Sequence, residues 1–421
     1  MNETNRIPSE MLALTATGTG FENLKLGKVP TPQIGENQLL ARVDAAGVCS
    51  SNLKLIAQGP EHPFLKGWDL EQWPAILGDE GAVTLVKVGE GLADRFKPGE
   101  RYAVQPAVDV APILNRERYR NNAEGITKCA VGYTLGGMLA QYIRIQEEVL
   151  AAGCLVPLPD QRMPAFAVSM AEPISCVISA QDRHYHLVKE GAQAPREARL
   201  GIKPDGVTVV RGAGAMGRMH AELALRFRPG VLIVADYEEN RLKKSEKVLR
   251  GRAGSCGCRL SFVSPDDLEA TVMGVSNGRG ADDYILALGI RKEHQKALAL
   301  LAQDGVVNLF GGLPLGNHIL ELDSRDVHYR EVHVVGSSGG DASDVAKTVG
   351  AIAAGEIDPG NYVAAVGSLH NAIDVLGMIR DRQLDGRAIL YPHIRETPLR
   401  MVEGWNGEME REFLQERIPE S

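Results

Sequence analysis

Asp79 and Glu80 are adjacent carboxylates between Gly78 and Gly81, in "PAILGDEGAVTLVKVGEG" (Pro74 to Gly91). The residues around them are apolar and read as core, so the two acids are either a solvated turn or hold something positive. Cys49 ends a strand-like segment in "GVCSSNLK", with Ser51 and Lys54 close behind. Alone, such a cysteine is more often a buried structural thiol than a ligand. Glu172 precedes Pro173 in the apolar "SMAEPISCVISAQ", where an unpaired carboxylate is costly. Three segments far apart in sequence thus each offer a thiolate or an acid in an apolar setting. That is the composition of a zinc site with one open position.

A second constellation has different chemistry. Gly212, Gly214 and Gly217 form G-x-G-x-x-G directly after the strand-like "VTVVR" and at the start of a helical stretch. The first glycine permits the tight turn, the second lets a pyrophosphate approach the backbone, and the third permits close packing. The helix start supplies free N–H groups for the phosphates. Asp236 closes the next strand, where a carboxylate can accept from both ribose hydroxyls and repel a 2′-phosphate. NAD is therefore expected over NADP. Met216 in the loop and Arg241 beyond it complete the candidate cofactor-binding set. The competing reading is a glycine-rich turn with Asp236 capping the next helix.

These residues need elements to hold them. The first third of the chain is strand-like and often broken by Gly and Pro, as in "QLLARVDAAGVC", "AVTLVKVGEG" and "RYAVQPA". From about Gly206, short apolar strands alternate with helical stretches: "GVTVVR", "GVLIVAD", "RLSFV", "ADDYILAL", "GVVNLFGG" and "EVHVVGSSGG". That alternation predicts a parallel, doubly wound sheet. The polar "QDRHYHLVKEGAQAPREARLGIKPD" between the two regions reads as a surface excursion, and the end of the chain as helix, loops and a polar tail, "REFLQERIPES". The expected division is 1–184 as a first β-rich part, 185–340 as the cofactor domain, and 341–421 as a return to the first domain with the tail.

With 421 residues, 44% hydrophobic and a formal charge of -8, the chain is an ordinary globular one of two or three domains. The acidic balance argues against a nucleic-acid partner. No apolar run suggests a leader or a membrane span, and six cysteines are too sparse for a disulfide scaffold, so a cytoplasmic location is expected.

The sequence resembles the medium-chain dehydrogenase/reductases of the zinc-dependent alcohol and polyol dehydrogenase type. The resemblance rests on the Cys49 strand end, the "GDEG" turn in place of G-H-E-G, "GGMLAQY" (Gly136 to Tyr142), the "EP" at Glu172–Pro173 and the glycine fingerprint, and it extends over nearly the whole chain. Within the family it is closest to the branch that includes L-sorbose-1-phosphate reductase, on "CSSNLKLIAQG", "EPISCVI", "YHL", "GIKPDG", "DVHY" and "VVGSSGG". The resemblance implies a GroES-like catalytic domain and a Rossmann cofactor domain. It makes Cys49 the thiolate ligand of one catalytic zinc, with Asp79 where the family has histidine, Glu80 as its neighbour and Glu172 on the metal or its water. It makes Ser51 the proton relay, with Lys54 behind it.

The departure at Asp79 is matched by Asn52, where many relatives carry an aspartate. An amide can donate to an Asp79 ligand, whereas a second acid would repel it. The family's four-cysteine lobe is missing: residues 109–132 hold only Cys129, so no structural zinc is expected, and Cys256 and Cys258 read as a loop feature. The expected reaction interconverts a secondary alcohol and a ketone of a polyol or sugar, with NAD. A phosphorylated substrate would need cations, and Lys54, Lys66, Arg116, Arg118 and Arg120 are the candidates, Lys54 first. A homo-oligomer, dimer or tetramer, is expected by resemblance. Three other readings stay open: a member that has lost its metal, a zinc-free reductase, and a non-catalytic NAD-binding protein.

Overall fold

The computed structural model describes residues 7–109, 116–126, 128–314 and 316–417. The chain divides into two compact units, Met1–Pro173 with Asp341–Ser421, and Ile174–Gly340.

Among the described residues, the first unit is built on eight strands in one sheet. Leu155–Pro157, Arg101–Val104, Glu80–Val88, Leu39–Gly47, Arg387–Tyr391, Val363–Ser368 and Arg400–Met401 follow one another, and Tyr142–Ile145 also pairs with Leu39–Gly47. The pairing is antiparallel apart from Val363–Ser368 with Arg387–Tyr391, which is parallel. Leu39, Ala41, Val43, Val83, Leu85, Ile143, Leu390 and Leu376 fill its core. Three neighbouring strands bring distant sequence together at one end of the sheet. Gly47 pairs with Glu80 on one side and with Ile389 on the other. A side chain at Gly47 would press on the Glu80 carboxylate, so glycine leaves that carboxylate its place.

Two sequence expectations change here. Asp79 and Glu80 are not a turn: Glu80 opens a nine-residue strand, and both acids are buried. Cross-strand pairing with Gly47 overrides the turn-like composition of Gly78 to Gly81. The polar tail is in part a helix, Gly407–Gln415, with Phe413 buried. Glu410 on it accepts hydrogen bonds from the Ala165 and Phe166 amides at 2.9 and 2.8 Å. It thereby satisfies N–H groups that the short helix Ala165–Ser169 leaves open.

The second unit is the doubly wound sheet the alternation predicts. Among the described residues its six strands, all parallel, are ordered Arg259–Val263, Val231–Ala235, Val207–Arg211, Ala281–Leu286, Leu301–Asn308, His333–Val335. In sequence order that is 3-2-1-4-5-6, the dinucleotide-binding order. Its strands are apolar because helices cover both faces: Val207, Val209 and Ile233 pack to one side, Val210, Leu232 and Val234 to the other. The preceding polar excursion is an antiparallel hairpin, Tyr185–Val188 with Glu197–Leu200. Its root buries His184 and His186 against Asp283, with nitrogen–oxygen distances of 2.7 and 3.0 Å.

Candidate active site

At the sheet end described above, one ligand atom from each of Cys49, Asp79 and Glu80 lies within 4.8 Å of the others. Cys49 follows the strand Leu39–Gly47, Asp79 precedes the strand Glu80–Val88, and Ser51 opens the helix Ser51–Gln58. Gly78 makes the approach to Asp79 possible. It has φ +102°, and a Cβ there would press on the Leu139 backbone nitrogen. Ser51 Oγ donates to Asp79 Oδ2, and Asn52 Nδ2 donates to Asp79 Oδ1 at 3.3 Å. Asn52 Oδ1 in turn accepts from the Gly78 amide at 3.2 Å. The amide thus faces the aspartate in the sense the Asp79–Asn52 departure predicts.

Arg387, at the start of the adjacent strand, forms a buried ion pair with Glu80 Oε1. The other oxygen, Glu80 Oε2, is buried with no hydrogen-bond partner among the described residues. Burial, then the charges of Glu80 and Asp79, pushes the Cys49 thiol far up, opposed by Arg387. Burial and Glu80 likewise push Asp79 up to about 6, against the Ser51 hydrogen bond. Burial alone would disfavour a charged Arg387, but Glu80 and Cys49 outweigh it and hold the guanidinium protonated. One arginine facing a thiol and two acids leaves the cluster short of positive charge. A zinc ion fits this donor set of thiolate and carboxylates.

The remaining first-unit candidates separate. Glu172, on the helix Ala171–Asp182, is outside the three-residue cluster, although its charge reaches Cys49 and Tyr133. Lys54 is exposed on the Ser51 helix, and its charge acts on His62. Residues 110–115 and 127 of the segment expected to lack a structural zinc lie outside the described residues; Cys129 within it is buried. Sequence reasoning missed Arg387 and Tyr133. The signal for Arg387 was an arginine opening the otherwise apolar "RAILY". Tyr133 packs its ring 5.0 Å from that of His62, and burial followed by the charges of Asp79 and Cys49 raises its hydroxyl pKa strongly.

In the second unit, the glycines have three distinct reasons. Gly212 has φ +102°. A Cβ on Gly217 would sit 1.7 Å from the Gly212 carbonyl oxygen, so the loop closes only with glycine there. A Cβ on Gly214 would meet nothing within 4 Å, which leaves the N-terminus of the helix Ala215–Ala224 open to a phosphate. Met216 lies in the first turn of that helix. Asp236 Oδ2 accepts from the Ala213 amide at 2.7 Å and Oδ1 from the Glu238 amide at 2.9 Å, which fixes the carboxylate beside the loop. Arg241 is 3.9 Å from Asp236 Oδ2. These residues fit a nicotinamide dinucleotide.

A thiolate–carboxylate cluster on a GroES-like sheet, in a chain with a fingerprint-bearing Rossmann sheet, defines the class of nicotinamide-dependent, zinc-type alcohol dehydrogenases. Residues 35–160 match the alcohol dehydrogenase GroES-like domain. Over 83% of its length the chain is 30% identical to the uncharacterized protein YggP of Escherichia coli (strain K12), covering 79% of it. It is 29% identical to mannitol-1-phosphate 5-dehydrogenase of Aliivibrio fischeri, over 92% of this chain and 88% of that one. It is 28% identical to L-sorbose 1-phosphate reductase of Klebsiella pneumoniae, over 84% and 82%. The fold superposes on a dehydrogenase from Sinorhizobium meliloti bound to NADP with a TM-score of 0.71, at 20% identity over 91% and 100% of the two chains. The chain belongs to the medium-chain dehydrogenase/reductase family and is an oxidoreductase of its polyol dehydrogenase type. Among the described residues no helix is long and apolar enough to cross a membrane.

Proposed function

We propose that the chain is an NAD(H)-dependent, zinc-assisted dehydrogenase that interconverts a secondary alcohol and a ketone of a polyol phosphate. In the oxidative direction the alcohol and NAD⁺ give the ketone, NADH and a proton. The observation that carries this reading is the Cys49–Asp79–Glu80 cluster, with a buried, unpartnered Glu80 oxygen and more acid than Arg387 neutralises. Cys49 and Asp79 are the residues that would hold zinc, with Glu172 as third ligand and Glu80 entering or leaving the coordination shell. When bound, zinc supplies Lewis-acid polarisation of the substrate oxygen, and the nicotinamide supplies the hydride acceptor.

The chain's own residues do the rest. Ser51 Oγ, whose O–H rests on Asp79, accepts the alcohol proton as it gives up its own, so that one proton per turnover is passed on toward solvent. Lys54, one helical turn on and exposed, stands at the outward end of the relay, where its charge favours release of the proton to water. Asn52 and the Gly78 amide keep Asp79 oriented. Gly212, Gly214 and Gly217 with Asp236 seat the dinucleotide, and the Asp236 charge favours NAD(H) over its 2′-phosphorylated form. The sugar-phosphate reading is supported by the names of two relatives, mannitol-1-phosphate 5-dehydrogenase and L-sorbose 1-phosphate reductase. A homo-oligomer is part of the proposal. The edge strand His333–Val335 and the nearby helix Ser324–Arg330 expose Val334 and Tyr329, and light scattering tests it.

The test is kcat/KM for hexitol 1-phosphates and the parent hexitols with each cofactor. The expected result is a preference for the phosphate ester and for NAD(H). Equal turnover of the unphosphorylated hexitol rejects the phosphate, and equal or better use of NADPH rejects the role of Asp236. Asp236→Ser, which leaves the Arg241 charge in place, is expected to narrow the cofactor preference by about tenfold, the value of one charge-assisted contact.

A further inference from the structure

In the first unit a cavity of about 200 Å³ is lined by Arg118, Arg144, Trp73, Thr134, Tyr133 and Gln146, among others. That is room for a small polyatomic ion and not only a water. Arg144 lies on the strand Tyr142–Ile145 and Arg118 ends the short turn Arg116–Arg118. Two guanidinium groups in one half-enclosed space repel one another. After burial, the charge of Arg118 is the main cause that lowers the Arg144 pKa, only partly countered by Glu147 and Glu148 on the following helix.

Among the described residues, neither arginine has a strong partner that would explain its position. The Arg118 contact with Glu117 is 3.8 Å long, and Glu117 is exposed. Arg118 Nε is buried with no hydrogen-bond partner among the described residues. Arg144 Nη1 donates to the Gln33 carbonyl at 3.4 Å, a long bond. The Arg118 guanidinium is nevertheless held in place, 4.5 Å from the centroid of the Trp73 ring. Thr134, nine-tenths buried on the cavity wall, turns its hydroxyl to that of Tyr119. Arg120, by contrast, is consumed by a two-pronged pair with Asp69.

We propose that this cavity is a binding site for a phosphate group, with the forks of Arg118 and Arg144 on its oxygens. Planar guanidinium forks match phosphate oxygens two at a time, and a group of charge near -2 at neutral pH cancels both arginines. The group is either the phosphate ester of the substrate or free phosphate acting as a separate ligand. Tyr133 lines the cavity, and the preceding Gly132 packs on the Gly78 carbonyl and the Asp79 nitrogen, so the cavity neighbours the metal cluster. The assignment of a phosphate site stands on the arginines themselves; only the choice of the substrate's ester rests on the function proposed above.

Titration calorimetry of the full chain with inorganic phosphate, against chloride at matched ionic strength, tests the site directly. The expected dissociation constant is millimolar, weakened about tenfold or more in both Arg118→Gln and Arg144→Gln, with melting temperature and NADH binding held. Arg144→Lys, which keeps the charge and loses the fork, is expected to fall between. No binding up to tens of millimolar, or equal binding by wild type and both variants, overturns the site. Turnover then separates the two sources. Competition by phosphate against a hexitol 1-phosphate, with KM for the ester but not for the parent hexitol raised in Arg144→Gln, places the ester in the cavity. A phosphate effect on rate that is not competitive and disappears in Arg144→Gln supports a separate ligand there. If phosphate binds as expected and no polyol is turned over, the site stands and the polyol-phosphate function falls.

Discussion

Asp79 is the residue on which the chemistry of this chain departs most from a histidine-containing site, and its neighbour follows suit. Asn52 donates to Asp79 and accepts from Gly78, so the amide is used at both ends. Asn52→Asp would set a second carboxylate against Asp79, and zinc affinity is expected to drop by about 10- to 100-fold, measured by chelator competition. Asp79→His alone is expected to tighten zinc, because imidazole is the better zinc ligand. Adding Asn52→Asp to it should tighten zinc further, since an acid orients a ligating imidazole. A double variant with the same affinity as Asp79→His would show that residue 52 does not act on residue 79. This pairing could be read from sequence because the two departures lie in short motifs. The Glu80–Arg387 ion pair could not, since its partners are 307 residues apart and meet only through the strand order.

The glycine loop and the buried histidine pair belong to the scale of elements. Gly217→Ala forces a Cβ into the Gly212 carbonyl and is expected to abolish cofactor binding and lower stability, whereas Gly214→Ala fills open space. For Gly214→Ala the melting temperature should move little while NADH affinity, read by fluorescence titration, falls about tenfold, as expected for a lost approach of phosphate to backbone. The acid limb of stability depends on Asp283. Burial alone would raise its pKa, but the hydrogen bonds from His184 and His186 outweigh burial and pull it down to about 2. A folded pKa below the unfolded one stabilises above about pH 4, and that contribution is lost as pH falls toward 2. Asp283→Asn should therefore cost about 2 kcal/mol at pH 5, a difference that shrinks between pH 4 and pH 2 in urea melts. A difference independent of pH would place the stabilisation elsewhere.

For the whole molecule, the second unit was the more legible half. Its central parallel strands Val231–Ala235, Val207–Arg211 and Ala281–Leu286 are buried on both faces and so appear as apolar runs, and the six strand-like segments are each found again in the sheet. The first unit gives weaker signals, because several of its strands are only two or three residues long and its pairings are distant. Glu80 looked like a turn residue until its pairing with Gly47 was known. The polar "REFLQE" hid a helix whose large buried apolar residue is Phe413. Such features depend on partners that arrive from elsewhere in the chain, and local composition does not carry them.

The account as a whole depends on whether the Cys49–Asp79–Glu80 cluster holds a metal. Elemental analysis of the full chain purified without chelator, alongside Cys49→Ala, tests this most directly. The expected result is one zinc per wild-type chain, and none in Cys49→Ala, which still binds NADH and has lost turnover. A wild-type protein that is active and metal-free, or a Cys49→Ala variant that keeps both metal and activity, would contradict the account.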